Sequence, residues 1–388
     1  MRTFTHYLTL AFSVGGLCLS ALPQQAAAAA APITVPALDN KAYVLMDFDT
    51  GQILAASNAD QALPPASLTK MMTSYIVEQS LKSGRLKPTD MVSVSLNAWC
   101  RGSSTESCMY LPLNGQASVM DILRGIIIQS GNDASKAVAE HLSGSEAGFA
   151  DVMNTEAKRL GMKQTHFVNP TGLPDPNHKA SANDLALLAR AIIRDSADYY
   201  PIYSERDFKY NGIKQGNRNA LLYTDPTVDG LKTGHTEEAG YCLVASSKRS
   251  GMRLISVVMG ARTMPARADQ TRLLFNWGFN AFEKITLMAA SAPMAPAELR
   301  FGTADTVRVG LTHDFGVTVP RGQNAQVKTV VEITPGLAAP IEKGATVGNV
   351  VATLDGKPYA SQPLIAMESI ERAGVFKRMW QRVRYWFK

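Results

Sequence analysis

Apolar positions along this chain change period several times, and each change marks an element. In "AYVLMDFDTGQILAAS", residues 42–57, two apolar runs flank Asp49-Thr50-Gly51, the pattern of a β-hairpin. A helix is predicted from near Ser67 in "ASLTKMMTSY", burying Leu68, Met71, Met72 and Tyr75. "SVMDILRGIIIQ" predicts a largely buried helix, broken at Ser130-Gly131-Asn132 and resumed in "DASKAVAEHL". A further helix is expected over 145–160. "SANDLALLARAIIRD" predicts another, with Ser181 as N-cap and Asp184 in its first turn. "GYCLVAS" and "MRLISVVMG" are apolar strands joined by the turn "SKRSG". "ADQTRLLFNWGFNAFEK" predicts a closing helix. Helices enclosed between two distant hairpins imply an α+β domain, an antiparallel sheet flanked by helices.

The pattern shifts at "APMAPAEL", residues 292–299, which reads as a linker. Short strand-like runs follow ("TVRVGL", "GVTVP", "QVKTVVEI", "ATVGNVVATLDG"), separated by Gly and Pro, and predict a small all-β domain without a catalytic cluster. The last segment changes period again. Ile370, Phe376, Met379, Trp380, Val383 and Phe387 recur every three or four residues, with Lys377, Arg378, Arg382 and Arg384 on the flanks and far side. This is the signature of an amphipathic helix lying in a membrane interface, broken by too many cations to span a bilayer.

Charge sharpens that reading. Residues 369–388 carry six basic side chains against Glu371, and the chain between the N-terminal segment and this tail is neutral, although the whole is +6. A nucleic-acid-binding domain would carry its own basic face, so no nucleic-acid partner is expected. At the other end, Arg2 precedes the apolar run "YLTLAFSVGGLCLSAL" and then "PQQAAAAAAP", the form of a secretory signal peptide cleaved near Ala29–Ala31. The expected organisation is a signal peptide over 1–31, a catalytic domain over 32–285, a β-rich domain over 286–367 and an anchoring helix over 368–388. Export leaves Cys100, Cys108 and Cys242, which allow three pairings. Cys100 and Cys108 flank the polar stretch "RGSSTES" and are the disulfide candidate, whereas Cys242 reads as a buried strand thiol. No CxxC, HExxH or Cys/His cluster occurs, so neither a metal nor a cofactor is expected.

The chemistry starts at Ser67 and Lys70, the chain's single S-x-x-K. Three-residue spacing puts both on one helical face. A serine hydroxyl needs a base to become a nucleophile, and a lysine can serve when burial or nearby positive charge lowers its pKa. An isolated S-x-x-K would be an N-cap and a surface lysine by chance; two partners change that. Lys232-Thr233-Gly234 is the single K-T-G. Of three S-x-N triplets, Ser181-Ala182-Asn183 is spent on a cap and Ser95-Leu96-Asn97 lies in a strand-like run close after Ser67. Ser130-Gly131-Asn132 interrupts two helices and keeps its polar groups available. The order S-x-x-K, S-x-N, K-T-G is that of penicillin-binding proteins and class A β-lactamases.

With "PASLTKMMTSY", "IQSGNDA", "NRNALL", "VDGLKTGHTEEAGY" and "RLISVVMGARTMPAR", the chain resembles the low-molecular-mass penicillin-binding proteins, the D-alanyl-D-alanine carboxypeptidases of the Gram-negative envelope. The resemblance implies a penicillin-binding, transpeptidase-like domain followed by the all-β domain and terminal helix. It implies removal of the terminal D-alanine from peptidoglycan stem peptides through an acyl-enzyme on Ser67, and inhibition by β-lactams. Lys70 is then the base and Ser130 the proton relay. Asn132 holds Lys70 and the substrate amide, and Lys232 is an electrostatic aid. Thr233 and Arg218 take the substrate carboxylate, with Arg267 a second functional arginine. Gly234 lets substrate lie against its strand, and the backbone N–H groups of Ser67 and His235 form the oxyanion hole. A periplasmic protein attached to the outer face of the inner membrane is implied as well. A class A β-lactamase would place a deacylating glutamate after its S-x-N motif. None of Glu140, Glu146, Glu156 and Glu205 sits in the Glu-x-x-x-Asn context. A D,D-endopeptidase is the nearer competitor.

Overall fold

In the computed structural model, residues 34–101 and 106–386 are described; the expected signal peptide lies outside them. The first hairpin forms as strands β1, Ala42–Asp47, and β2, Ile53–Ser57. A 3-10 turn over Ala66–Thr69 leads into helix α1, Lys70–Lys82, so Ser67 sits on the turn and Lys70 opens the helix. Helix α2, Val119–Arg124, widens into a π-turn over Gly125–Gln129. The chain then reverses at Ser130, in the left-handed region at φ 61, before α3, Asn132–Ser143. Ser145 caps α4, Glu146–Arg159, and Ser181 caps α5, Ala182–Asp195, by accepting from Asp184 N.

Three long strands complete the sheet: β3, Val228–Thr236, β4, Gly240–Arg249, and β5, Met252–Ala261. The order is β2-β1-β5-β4-β3, antiparallel throughout. Both faces are buried, which is why the strands read as continuous apolar runs. Val44, Val244, Ile255 and Val257 face the core shared with α1 and α5. Leu45, Leu243, Leu254 and Val258 face Leu274 and Phe275 of helix α6, Met264–Ala281. The closing helix predicted through Lys284 ends at Ala281. Phe282 turns extended, packs edge-on against Trp277 and starts β6, Phe282–Met288.

Strand β6 pairs with β7, Phe315–Pro320, in the β-rich lobe, so it crosses the expected 285/286 boundary. A four-stranded sheet of that lobe runs Val309–Gly310, β10, β9, β8, with β8 Val327–Ile333, β9 Thr346–Leu354 and β10 Lys357–Ala366. The pattern analysis missed β10 because Pro358 and Pro363 break its signal. Pro358 sits beside a bulge, and Pro363 lies where the neighbouring Val309–Gly310 strand does not reach, since it pairs only with Ile365 and Ala366. The lobes are tied through Asp47, which is fully buried. Its Oδ2 accepts from Thr318 Oγ1 at 2.8 Å, while Oδ1 accepts from Thr50 N and Oγ1.

The terminal helix, α7, spans Val375–Trp386. Ile370 is not on it, contrary to the periodicity; it bridges Ile341 by two backbone hydrogen bonds. The helix docks by its polar side. Gln381 is buried and donates to Asp305, and Lys377 Nζ donates to Thr303 O. Phe376, Met379, Trp380 and Val383 face outward, Phe376 being 90% exposed. Phe387 lies outside the described residues.

Replacing Asp47 by Ala would leave the buried Thr318 hydroxyl and the Thr50 N–H without their acceptor. An unsatisfied buried group costs about 1–3 kcal/mol, so Asp47→Ala is expected to lower the unfolding midpoint in thermal denaturation by several degrees. An unchanged midpoint would show that this tie does not stabilise the molecule.

Candidate active site

Four segments converge on Lys70. The 3-10 turn supplies Ser67, whose Oγ lies 3.1 Å from Lys70 Nζ. The break between α2 and α3 supplies Asn132, whose Oδ1 accepts from Nζ at 2.7 Å. The loop Asn169-Pro170-Thr171-Gly172 supplies a carbonyl, Thr171 O, accepting at 2.6 Å. Strand β3 brings Lys232, whose Nζ donates to Ser130 Oγ at 2.9 Å and to Thr233 O at 3.1 Å.

Two glycines make this approach feasible. A Cβ on Gly172, at φ +82, would sit 1.8 Å from Ala66 O, so the loop reaches Lys70 only with glycine there. A Cβ on Gly234 would meet Pro65 O at 3.0 Å and Ala66 and Leu68 at 3.3 Å. The demand for glycine at 234 thus comes from the turn that carries Ser67, a packing reason the motif alone did not reveal. Ala66 itself is held at φ 48, a left-handed conformation that costs an L-residue about 1 kcal/mol. Behind the turn, His178 Nδ1 accepts from Val168 N, and its other nitrogen lies 2.7 Å from Thr69 Oγ1. Burial pulls His178 down to about 4, so the neutral ring donates from Nε2 to Thr69.

Lys70 is fully buried. Burial, then the Arg218 guanidinium, draws its ammonium down from the ordinary lysine range to about 7, against a smaller opposing pull from Asp133 and Glu106. Lys232 is lowered as well, by burial first and then by Lys70, Arg218 and Arg267. At neutral pH the site therefore holds a large share of neutral lysine. A neutral amine has two N–H donors and one lone pair. With Asn132 Oδ1 and Thr171 O accepting from it, a neutral Nζ would have its lone pair free on the side of the Ser67 hydroxyl.

These groups face a cavity of about 370 Å³ lined by Ser67, Glu106, Ser130, Arg218, Thr233 and Arg267, among others. Three larger clefts, of about 600, 580 and 470 Å³, contain no nucleophile with a paired base among the described residues. The sequence candidates gather here, with differences of degree. Arg218, at the rim, donates to Ser107 Oγ at 2.6 Å. Arg267 is buried, donates to Gly234 O at 3.1 Å and stacks over Tyr241. The exposed His235 ring stacks on Tyr241 with centroids 4.0 Å apart. Cys100 and Cys108 are joined by a disulfide, and Cys242 is a buried free thiol. Sequence reasoning missed Thr171, Glu106 and Ser107. Glu106 Oε2 accepts from Asn132 Nδ2 at 3.0 Å, from a position upstream of the S-x-N motif, where no deacylating glutamate was sought.

A family model described as D-alanyl-D-alanine carboxypeptidase matches residues 25–263, and one described as the C-terminal domain of penicillin-binding protein 5 matches residues 282–372. The chain is 44% identical over 375 residues to the D-alanyl-D-alanine carboxypeptidase DacA of Haemophilus influenzae, covering 96% of this chain and 95% of that one. The crystal structure of penicillin-binding protein 5 from the same organism superposes with a TM-score of 0.80 at 46% identity, over 87% of this chain and 99% of that one. Penicillin-binding protein D2 from Listeria monocytogenes in its ampicillin-bound form superposes with a TM-score of 0.57 at 31% identity, over 62% of this chain and 98% of that one.

The titration of Lys70 can be read directly. With lysine Cε labelled by ¹³C, one resonance is expected to titrate with a midpoint of about 7, Lys70 being an ammonium below it and neutral above. Arg218→Ala removes a cation and is expected to raise that midpoint; a downward movement would refute the assigned cause.

Proposed function

This chain belongs to the D-alanyl-D-alanine carboxypeptidase family of serine peptidases, and on that premise we propose that Ser67 is its acylated nucleophile and Lys70 the base. The chain is a serine-type D-alanyl-D-alanine carboxypeptidase, and the finer reading concerns which groups do the work. The observation that carries it is the set of three contacts made by the buried Lys70 Nζ. With Asn132 Oδ1 and Thr171 O accepting from two N–H groups of the neutral amine, the third contact of Nζ, with the Ser67 hydroxyl at 3.1 Å, is where its lone pair would take the proton.

In the first half-reaction the Ser67 proton passes to Lys70 as Oγ bonds to the carbonyl carbon of the penultimate D-alanine. The developing oxyanion is held by the backbone N–H groups of Ser67 and His235. Ser130, its Oγ accepting from Lys232, passes its own proton to the departing D-alanine nitrogen and is replenished by the proton that Lys70 took from Ser67, which leaves Lys70 neutral again to deprotonate the water of the second half-reaction. The terminal carboxylate is met by Thr233 and the Arg218 guanidinium, with Arg267 fixing the strand through Gly234 O. Water then releases the shortened stem peptide. A β-lactam presents a strained amide to the same serine, in keeping with the ampicillin-bound relative, and leaves a covalent adduct. Because neutral Lys70 is required, the acylation rate rises with pH through about 7 and falls about ten-fold per pH unit below it.

The stem peptide as substrate implies an exported enzyme. The outward apolar face of α7, with basic residues beside it, supports peripheral attachment to an anionic membrane surface. Among the described residues no helix is long and apolar enough to cross a membrane.

Ser67→Ala is expected to abolish both D-alanine release from a pentapeptide stem and labelling by a fluorescent penicillin. Labelling that persists would sink the nucleophile assignment. Removal of residues 375–388, which spares the Ile370–Ile341 pairing of the β-rich lobe, should leave release intact and move the protein from the membrane to the soluble fraction; a truncated protein that still pellets with membranes would refute the anchor.

A further inference from the structure

The stretch that ends at the disulfide touches the acylation centre at several atoms. Besides the Glu106 contact, Ser107 O accepts from Asn132 N at 2.7 Å, and Ser107 Oγ accepts from Arg218. Past the bridge, Met109 N and Leu111 N donate to Asp133, the residue after Asn132, and Cys108 O accepts from Gln215 Nε2. Among the described residues, the chain on either side of Cys108 in the Cys100–Cys108 bridge thus contacts Asn132 and Asp133 as well as Arg218 and Gln215.

Asn132 carries a carboxamide with an acceptor end and a donor end of almost the same shape. Only one orientation serves Lys70. With Oδ1 toward Nζ, the amide takes one amine N–H and leaves the lone pair for Ser67. Turned over, Nδ2 would point a donor at Nζ and compete for that lone pair. A carboxylate is an acceptor alone, so a carboxylate behind Asn132 admits the Nδ2 end and rejects the Oδ1 end.

We infer that Glu106 is a positioning residue for acylation: it fixes the Asn132 amide with its oxygen toward Lys70, and its negative charge faces the same buried site. The inference rests on the assignment of Ser67 and Lys70 made above. Glu106 lies outside the S-x-x-K, S-x-N and K-T-G motifs, and it acts through Asn132 rather than on substrate. Its charge adds a second signature. The groups that face Lys70 are Arg218, Lys136 and Lys232 as cations, Asp133 and Glu106 as anions, and the neutral His178 ring. Removing Glu106 removes an anion, so Lys70 gives up its proton at lower pH and the acid limb of acylation moves down.

The test is the second-order rate of acylation by a fluorescent penicillin between about pH 5 and 9, for the full chain and for Glu106→Ala and Glu106→Gln. Glutamine keeps an acceptor oxygen without the charge; alanine keeps neither. Glu106→Ala is expected to lose about ten- to a hundred-fold at the plateau of the pH profile, the scale of a misplaced catalytic group. Glu106→Gln should keep more of the plateau rate, and both limbs should lie at lower pH than in the parent. An alanine variant with an unaltered plateau and an unaltered limb overturns the inference. If the alanine variant does not fold, the glutamine limb decides, since an unshifted limb there overturns the charge effect and with it the placement of Glu106. Mass spectrometry of the labelled peptide keeps the two levels apart. A label away from Ser67 would sink the parent assignment, whereas a Ser67 label formed at the parental rate and pH sinks this one alone.

Discussion

The structure depends on the burial of one ammonium. Lys70 is the first residue of α1, it has no exposed surface, and no carboxylate bonds it directly. A lysine so placed loses its hydration shell, and the protein answers by shifting it toward the neutral form rather than by pairing it. Neutrality alone would yield an inert amine. What would make it the base proposed for Ser67 is the count of its bonds: two acceptors from two distant segments would take its hydrogens, leaving the lone pair toward the Ser67 hydroxyl. Every element around it must then be placed to within a few tenths of an ångström, and the fold supplies that placement from four separate stretches of chain.

That placement is costly locally and is held by the cores on either side of the sheet. Ala66 and Ser130 both sit in the left-handed region, one just before Ser67, the proposed nucleophile, and the other itself the proposed proton relay. Each is a conformation L-residues avoid, and each is over-determined by its surroundings. Ala66 is wedged between Gly172 and Gly234, and Ser130 ends a π-turn that aims its hydroxyl at Lys232. The sheet is buried on both faces, so β3 cannot retreat from the Ser67 turn without opening a core. Rigidity of the sandwich is thus converted into a short distance between two lysines and two serines.

Much of this was legible in the sequence, for identifiable reasons. The motifs are local, the strands are continuously apolar, and Ser181 announces its helix by a side chain that caps it. The missed elements share a different property. Thr171 contributes a backbone carbonyl, which has no residue signature, across 101 positions from Lys70. Glu106 meets Asn132 from 26 residues upstream, where only a folded chain reveals the contact. Strand β10 hides behind two prolines whose lack of N–H is harmless at a bulge and along an edge without a neighbour. The periodicity that placed Ile370 on the terminal helix was real as a pattern, but its backbone was claimed by Ile341 first.

The terminal helix reverses the usual economy of a surface helix. An amphipathic helix docked on its own protein turns its apolar face inward, because that is the burial that stabilises the contact. Here Gln381, Lys377 and Arg382 make the contacts, while Phe376, Met379, Trp380 and Val383 stay in solvent. Such a contact is weak in water, where an exposed apolar stripe of this size is unfavourable. It becomes favourable once a lipid surface takes the stripe, since the polar side then already has partners on the β-rich lobe. Under the peripheral attachment proposed above, the terminal helix would connect to the catalytic sheet through packed contacts of the β-rich lobe, the buried Thr318–Asp47 hydrogen bond among them.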